Sequence, residues 1–322
     1  MVHYTDEEKD DIWNWSLYGS ILSYVGFAFI FLTFICISNL RRRLPFRMLM
    51  NLAAMGMILT LTGILTTDAE EFNAHHHHLC VCVGFLRNFT ANSTILWSLM
   101  FAKTMSDYMF KEVRCNVELR NYALAYGIPF ILSCIPLFMD IYGEATIYCW
   151  IHYSHTMSLS LDFVFFYLPV IAVMTTLFFY YIRMCLRLKS VTLSKEDRKL
   201  LLQFFFHPCS MLVSFIFPAL NRFYNLPFKE GRILWMMKMH VFCLQSLVLV
   251  NALVFGMNKT VWRQIGKVFK SLRCLKSYTN ADEPKYYSIN STFVTQSMQG
   301  NLAVRKERRD SQYQQLLLTK MI

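Results

Sequence analysis

Apolar residues along the chain gather into seven runs separated by short polar connectors: Ser16–Leu40, Met48–Thr67, Val81–Phe110, Tyr122–Met139, Leu159–Met184, Leu200–Tyr224 and Ile233–Met257. Each approaches the about 20 residues that a helix needs to cross a bilayer core. The predicted fold is therefore all-α, a seven-transmembrane helix bundle. The third run is the least uniform, because it carries Arg87, Asn88, Asn92, Lys103 and Asp107. The fourth is short and holds Pro129 and Pro136, which a membrane helix tolerates where its neighbours satisfy the freed carbonyls. Past Met257, the residues Val261, Trp262, Ile265, Val268, Phe269 and Leu272 fall on one helical face, and Lys259, Arg263, Lys267, Lys270 and Arg273 cover the rest. That spacing predicts a short amphipathic eighth helix lying along the inner leaflet, with membrane lipid as its partner: its apolar face and anionic lipid would hold it there. From about Tyr278 the chain is polar and rich in Ser, Thr and Gln, the composition of a disordered tail. The expected organisation is an extracellular N-terminus (1–15), the bundle (16–257), the interfacial helix (258–275) and a cytoplasmic tail (276–322).

The connectors alternate in charge. One set holds Arg41, Arg42, Arg43 and Arg47, then Lys111, Arg114 and Arg120, then Arg183, Arg187, Lys189, Lys195, Arg198 and Lys199. The other holds an acidic N-terminus, then Asp68, Glu70 and Glu71, then Asp140 and Glu144; only its last loop, with Lys229 and Arg232, is basic. The positive-inside rule places the N-terminus outside and the C-terminus in the cytoplasm, and Trp13, Trp15, Tyr18, Trp150, Tyr153, Tyr224 and Trp235 form an aromatic belt at the outer ends. Composition agrees: only 16% of the residues are charged, below the quarter usual in soluble domains. The net charge of +11 is spread over these connectors, which argues against nucleic acid as a partner. The acidic start, Asp6 to Asp11, is unlike the basic opening of a cleavable signal peptide, so the first span is expected to act as its own insertion signal.

Several residues stand out chemically. Cys80 and Cys149 both fall on the outer side, where disulfides persist; Cys82, two residues along, competes for the same bridge. The run His75–His78 beside them has metal-binding side chains, but four adjacent loop residues cannot all face one ion, and a solvated loop is the better expectation. Arg87, Asn88 and Asn92 lie within a span, in its outer half. An ionisable residue there is costly and faces the bundle interior, so these three, with Asn221 and Arg222 near the outer end of the sixth span, are ligand-pocket candidates. His207-Pro208 interrupts that sixth span and makes it a candidate hinge. Cys274, at the end of the amphipathic helix, is a palmitoylation candidate. The tail holds Ser277, Thr279, Ser288, Ser291, Thr292, Thr295, Ser297 and Ser311, where phosphates would recruit a regulator of the kinase or arrestin type. No nucleophile, base and metal set converges, so neither an enzyme nor a bound cofactor is expected.

Short matches in consistent order resemble the cyclic-AMP-receptor-like (class E) seven-helix receptors of slime moulds and their plant, protist and animal relatives, which are distantly similar to secretin-type receptors. The matches are Cys80, Gly84 and Thr94-Ile-Leu-Trp97 in the third span, Tyr148-Cys-Trp-Ile151 in the second outer loop, Phe166-Tyr-Leu-Pro169 in the fifth span, His207-Pro208 and Asn221-Arg222 in the sixth, and Asn251-Ala-Leu-Val-Phe-Gly256 with Asn258 in the seventh. The departures are Gly56 in place of an aspartate, Tyr126 in place of a tryptophan, Leu247-Val248 in place of Gln-Gly, and Asp107 in place of His or Arg. The resemblance implies a G-protein-coupled receptor in the plasma membrane. It would transduce an unknown extracellular ligand to a heterotrimeric G protein through the inner ends of spans three, five and six, with Asp107, Arg114, Arg187, Lys189, Arg198 and Lys199 facing it. Three other readings compete: a transporter or channel, a retinal-bound light receptor, and a seven-helix protein that signals without G proteins. Against the first stands the lack of internal repeats. Against the second, Lys238 sits near the outer end of its span rather than deep within it.

Overall fold

Thr5 opens the first helix. Its hydroxyl accepts the Glu8 N–H (3.3 Å) while the Glu8 carboxylate accepts the Thr5 N–H (2.9 Å), a reciprocal cap at the start of α1 (Asp6–Cys36). The computed structural model of the chain describes residues 4–42, 44–65, 69–111, 119–145, 148–151, 161, 163–190, 206, 210–211, 213–221, 224, 233–258 and 261–270. At 1.5 Å per residue, the 31 residues of α1 span about 46 Å, more than a hydrocarbon core, so it starts well before the predicted Ser16. Its buried positions include Ser16, Gly19, Ser20, Ser23 and Gly26, a stripe of small residues at three- and four-residue spacing, whereas Tyr18, Val25, Leu32 and Ile35 point outward. Between membrane helices, small residues let backbones approach closely.

After α2 (Ser38–Arg41) come α3 (Leu44–Leu65) and α4 (Ala69–Lys111). The span within α4, His76–Asp107, has 61% of its most apolar window buried against 33% for α1, which makes it the central helix. The fourth span joins α5 (Leu119–Tyr122), a π-helical turn (Ala123–Gly127) and α6 (Ile128–Phe138). A second π-turn (Phe163–Tyr167) leads into α7 (Leu168–Ser190). Each π-turn ends within two residues of a proline, Pro129 or Pro169, whose missing N–H leaves a carbonyl of the preceding turn without its helical partner. Between these spans, β1 (Tyr142–Ala145) and β2 (Tyr148–Ile151) form an antiparallel hairpin with Tyr142 opposite Ile151 and Glu144 opposite Cys149. Next are α8 (residues 213–221), α9 (Leu234–Gln245), α10 (Leu247–Gly256) and α11 (residues 261–270).

The result is an all-α bundle decorated by one small hairpin. Five described helices are long and apolar enough to cross a membrane, and α9–α10, bent by 53° at Ser246, make a sixth when counted as one span. The predicted span Leu200–Tyr224 is described only in part, and its run 213–221 is helical. α1 runs parallel to α9–α10: Lys238 pairs with Asp11, Trp15 packs edge-on against Phe242, and Phe29 meets Phe255. The expectation of a loop at His75–His78 is corrected, because these residues continue α4, with a backbone break at His76 (φ −139°, ψ 51°). No glycine or proline occurs between Thr67 and Val83 to stop the helix.

The bundle has two unlike ends. At the end that carries Arg41, Arg42 and Arg47, the core is apolar: Ile30, Leu40, Phe46, Met48, Leu49, Leu52, Trp97, Phe101 and Phe255 pack together. Phe255 meets both Phe29 and Phe46 edge-on at 5.6 Å. At the end that carries the hairpin, buried polar side chains replace much of that packing.

Candidate functional site

A disulfide fixes the hairpin. Cys80 on α4 and Cys149 on β2 are bonded, with Cα atoms 5.2 Å apart and both residues fully buried; Cys82 is free and exposed. From β1, the Tyr142 hydroxyl donates to the Ser133 carbonyl on α6 (3.0 Å) and accepts from the Asn88 side chain on α4 (2.9 Å). Asn88 in turn accepts from Asn92 (2.8 Å). Burial holds the Tyr142 phenol far above its usual titration range, so it stays a neutral donor. The hairpin is thus tied to α4 covalently and to α4 and α6 by buried hydrogen bonds.

One residue before Cys149, Tyr148 turns its ring over Arg87. The guanidinium carbon lies 3.9 Å from the ring centroid, a cation–π contact. Burial pushes the Tyr148 phenol up to about 12, with the nearby Arg87 charge acting the other way, so no phenolate neutralises Arg87 near neutral pH. Its hydroxyl faces Arg87 and Ser16 without reaching hydrogen-bond geometry. Arg87 is 3% exposed. Its Nη1 has no hydrogen-bond partner, and no carboxylate pairs with it, among the described residues.

Gly63 on α3 brings a third group to this point. A Cβ at Gly63 would lie 1.6 Å from Gln245 Nε2 and 3.2 Å from Arg87 Nη1, so the glycine leaves the space in which the two side-chain ends meet. Gln245 Nε2 donates to Ser16 Oγ (3.3 Å), but its buried Oε1 accepts nothing among the described residues. The bend at Ser246 frees the Gln245 backbone carbonyl, and hydroxyls on two other helices take it: Ser23 Oγ on α1 and, at 3.5 Å, Thr60 Oγ1 on α3. Residues from α1, α3, α4, β2 and α9 therefore converge on one buried point. It holds an uncompensated cation and an unused amide oxygen. A buried polar atom without a partner costs about 1–3 kcal/mol, and more when charged. A bound group that accepts from Arg87 and donates to Gln245 Oε1 would recover that cost.

Of the pocket candidates, Arg87, Asn88 and Asn92 share this region. Asn221 on α8 instead contacts α9, with its Nδ2 3.0 Å from His240 Nδ1 and 3.4 Å from Met237 Sδ. Arg222, His207, Pro208, Arg114, Arg198, Lys199 and Cys274 lie outside the described residues, as does the tail. Arg187 and Lys189 belong to the last turns of α7, their side chains outside the description, and Asp107 is half-buried near the far end of α4. His76, His77 and His78 are exposed, and no group of three His, Cys, Asp or Glu that would hold a metal occurs among the described residues. Lys238 pairs with Asp11 and is engaged far from the centre of its span.

Sequence reasoning missed Tyr148, Gln245 and Gly63. The first two carried a signal: Tyr148 adjoins the bridging cysteine, and Gln245 is a lone amide inside an apolar run. Two of the residues that depart from the resembled pattern explain each other. A Cβ at Gly56 would lie 2.7 Å from Val248 Cγ2, so Val248 fills the space that an aspartate at position 56 would need. Tyr126, the third, packs against Trp97 (5.5 Å between centroids) and donates to Asn51 (2.9 Å).

No protein-family model matches the chain. It is similar to "G-protein coupled receptor 1" of Arabidopsis thaliana, with 23% identity over 262 residues that cover 77% of this chain and 78% of that protein. It is also similar to "Frizzled and smoothened-like protein M" of Dictyostelium discoideum, with 25% identity over 162 residues. That second match covers 46% of this chain and only 26% of the longer relative. The chain is a multi-pass membrane protein, similar over most of its length to one receptor-type protein and over less than half to another.

Proposed function

We propose that the protein is a G-protein-coupled receptor of the cyclic-AMP-receptor-like class. In this reading it sits in the plasma membrane with its N-terminus outside, as the arginine-rich connectors favour. The observation that carries the reading is Arg87, a buried cation without a carboxylate partner among the described residues, roofed by a hairpin that a disulfide holds in place. A receptor needs a site whose free energy differs between two arrangements of the bundle, and a ligand shifts the balance only through such a difference. A ligand that satisfies Arg87 and Gln245 binds best to whichever arrangement presents them together. Both residues border moving parts in this mechanism, since Gln245 sits at the bend of α9–α10.

At the opposite end, Asp107, Arg114, Arg187, Lys189, Arg198 and Lys199 would meet the heterotrimeric G protein, with His207-Pro208 as the hinge of the sixth span. Palmitoylation at Cys274 would anchor the amphipathic helix, and kinase- or arrestin-type regulators would act on the tail. The similarity to receptor-type proteins supports this reading at the level of signalling.

The test is nucleotide exchange on a panel of purified heterotrimeric G proteins, measured with the reconstituted full-length protein and with Arg87→Met and Arg87→Glu variants. Exchange above the empty-vesicle rate with at least one G protein, changed severalfold or more by either substitution, is the expected result. Exchange that stays at the vesicle background across the whole panel overturns the reading.

A further inference from the structure

We infer that the outer turns of α1, from Asp6 to Trp15, are a cover over Arg87 that swings at Gly19-Ser20, and that a ligand reaches the buried cation by displacing them rather than the hairpin. The apolar run of α1 begins only at Ser16. At about 46 Å, the helix exceeds a hydrocarbon core of about 30 Å by about 16 Å, roughly the length of its ten residues before Ser16. Those residues include Asp6, Glu7, Glu8, Asp10 and Asp11, so they stand in water, where no bilayer holds them. Ile12 is nonetheless buried, at 1% exposure. It shares an apolar cluster with Tyr148 of β2 and with Met237 and Val241 of α9, and Tyr4 and Leu234 pack against that cluster. One turn further along the same face, Ser16 Oγ accepts from Gln245 and faces the Tyr148 hydroxyl. The Tyr148 ring in turn lies over Arg87. The face of α1 that carries Ile12 and Ser16 therefore closes one side of the Arg87 point, next to the hairpin.

The two covers are fastened differently. The hairpin is held by the Cys80–Cys149 bond and by the two buried hydrogen bonds of Tyr142. Moving it off α4 breaks a covalent bond and strands polar groups that are buried. The outer turns of α1 are held by the Ile12 cluster and by the Asp11–Lys238 ion pair, whose carboxylate side chain is 48% exposed. An ion pair open to water holds weakly. The helix is also weak where its overhang meets the bundle. Ser20 Oγ donates to the Ser16 carbonyl (2.7 Å), in competition with the helical N–H, and Gly19 adjoins it. Glycine–serine pairs are places where helices bend. A swing there lifts Ile12 from Tyr148 and Ser16 from Gln245 and leaves the disulfide intact. The inference rests on reading Arg87 as the ligand site, but its test needs neither a ligand nor a G protein, so the two can fail separately.

The experiment uses the full-length protein in a non-ionic detergent, with Ser16→Cys as a reporter beneath the cover and Cys82→Ser to remove the exposed thiol near the hairpin. A small anionic methanethiosulfonate is added, and its rate of reaction at position 16 is followed by peptide mass spectrometry, which keeps the other cysteines apart. Asp11→Asn/Ile12→Ala is expected to raise that rate roughly tenfold or more, because losing a buried isoleucine contact shifts the opening equilibrium that the reagent reads. Tyr142→Phe removes both hydrogen bonds of the hairpin and leaves α1 alone; it is expected to change the rate by less than about twofold. Hydrogen exchange on the unaltered protein needs no variant: backbone amides of Ile12 to Trp15 are expected to exchange roughly tenfold or more faster than those of β2. An unchanged rate in Asp11→Asn/Ile12→Ala would overturn the inference. So would an equal or larger rise with Tyr142→Phe, or slower exchange in the outer turns of α1 than in β2.

Discussion

The hairpin end and the arginine end solve opposite problems. At the arginine end, Phe46, Trp97, Phe101 and Phe255 pack as apolar surfaces, and the cations stay outside. Nothing there is left unsatisfied except Trp97 Nε1 among the described residues of that core. At the hairpin end, Arg87, Asn88, Asn92, Tyr142, Tyr148 and Gln245 are buried together, and a covalent bond holds the roof. In a membrane the surrounding lipid offers no hydrogen bonds, so a polar core must satisfy itself or wait for a partner. The contrast teaches where to look for a buried ligand: the apolar end holds the helices together, and the end that packs at a cost holds the candidate pocket.

The largest expected effect tests the roof. The Cys80–Cys149 bridge closes a separation of 69 residues. By loop closure its removal in Cys149→Ser costs about 2–4 kcal/mol, read as a lower thermal midpoint in detergent. The same substitution at Cys82 should leave the midpoint in place. A smaller effect probes the seam between the ends. Gly56→Asp forces a carboxylate against Val248 and costs about 1–3 kcal/mol. The double variant Gly56→Asp/Val248→Gly should recover at least half of that loss, and strict additivity of the two would break the pairing argument. The smallest effect is the most telling. Arg87→Met removes an uncompensated buried charge and keeps the bulk, so stability should hold or rise by about 1 kcal/mol. A fall of more than that would mean that Arg87 is a structural residue, and the two ends would no longer differ in kind.

Much of the fold was legible in the sequence, since the spans of α1, α3, α4, α7 and α9–α10 follow the apolar runs to within a turn or two at most boundaries. The exceptions have physical causes. α1 and α4 extend well outside their apolar runs because polar residues continue a helix unless glycine or proline stops it. The bend at Ser246 left no trace, since neither Gln245 nor Ser246 is a usual breaker; the hydroxyls of Ser23 and Thr60 hold it from other helices. Half of the candidate pocket was visible in the same way. Arg87, Asn88 and Asn92 are conspicuous because they interrupt a span. Their partners Tyr148 and Gln245 are distant in sequence, and only the packing around Gly63 brings Gln245 to Arg87.

The bend also has a mechanical meaning. Beyond Ser246, α10 is an arm of ten residues, about 15 Å long. Its pivot is clamped by two hydroxyls beside Arg87, and its far tip is Gly256, whose carbonyl receives the Trp262 indole. Geometry alone makes a swing of about 10° at the pivot a displacement of about 2–3 Å at that tip. A slight loosening of two hydrogen bonds midway along the span would thus be magnified into travel at its end, with α11 carried along.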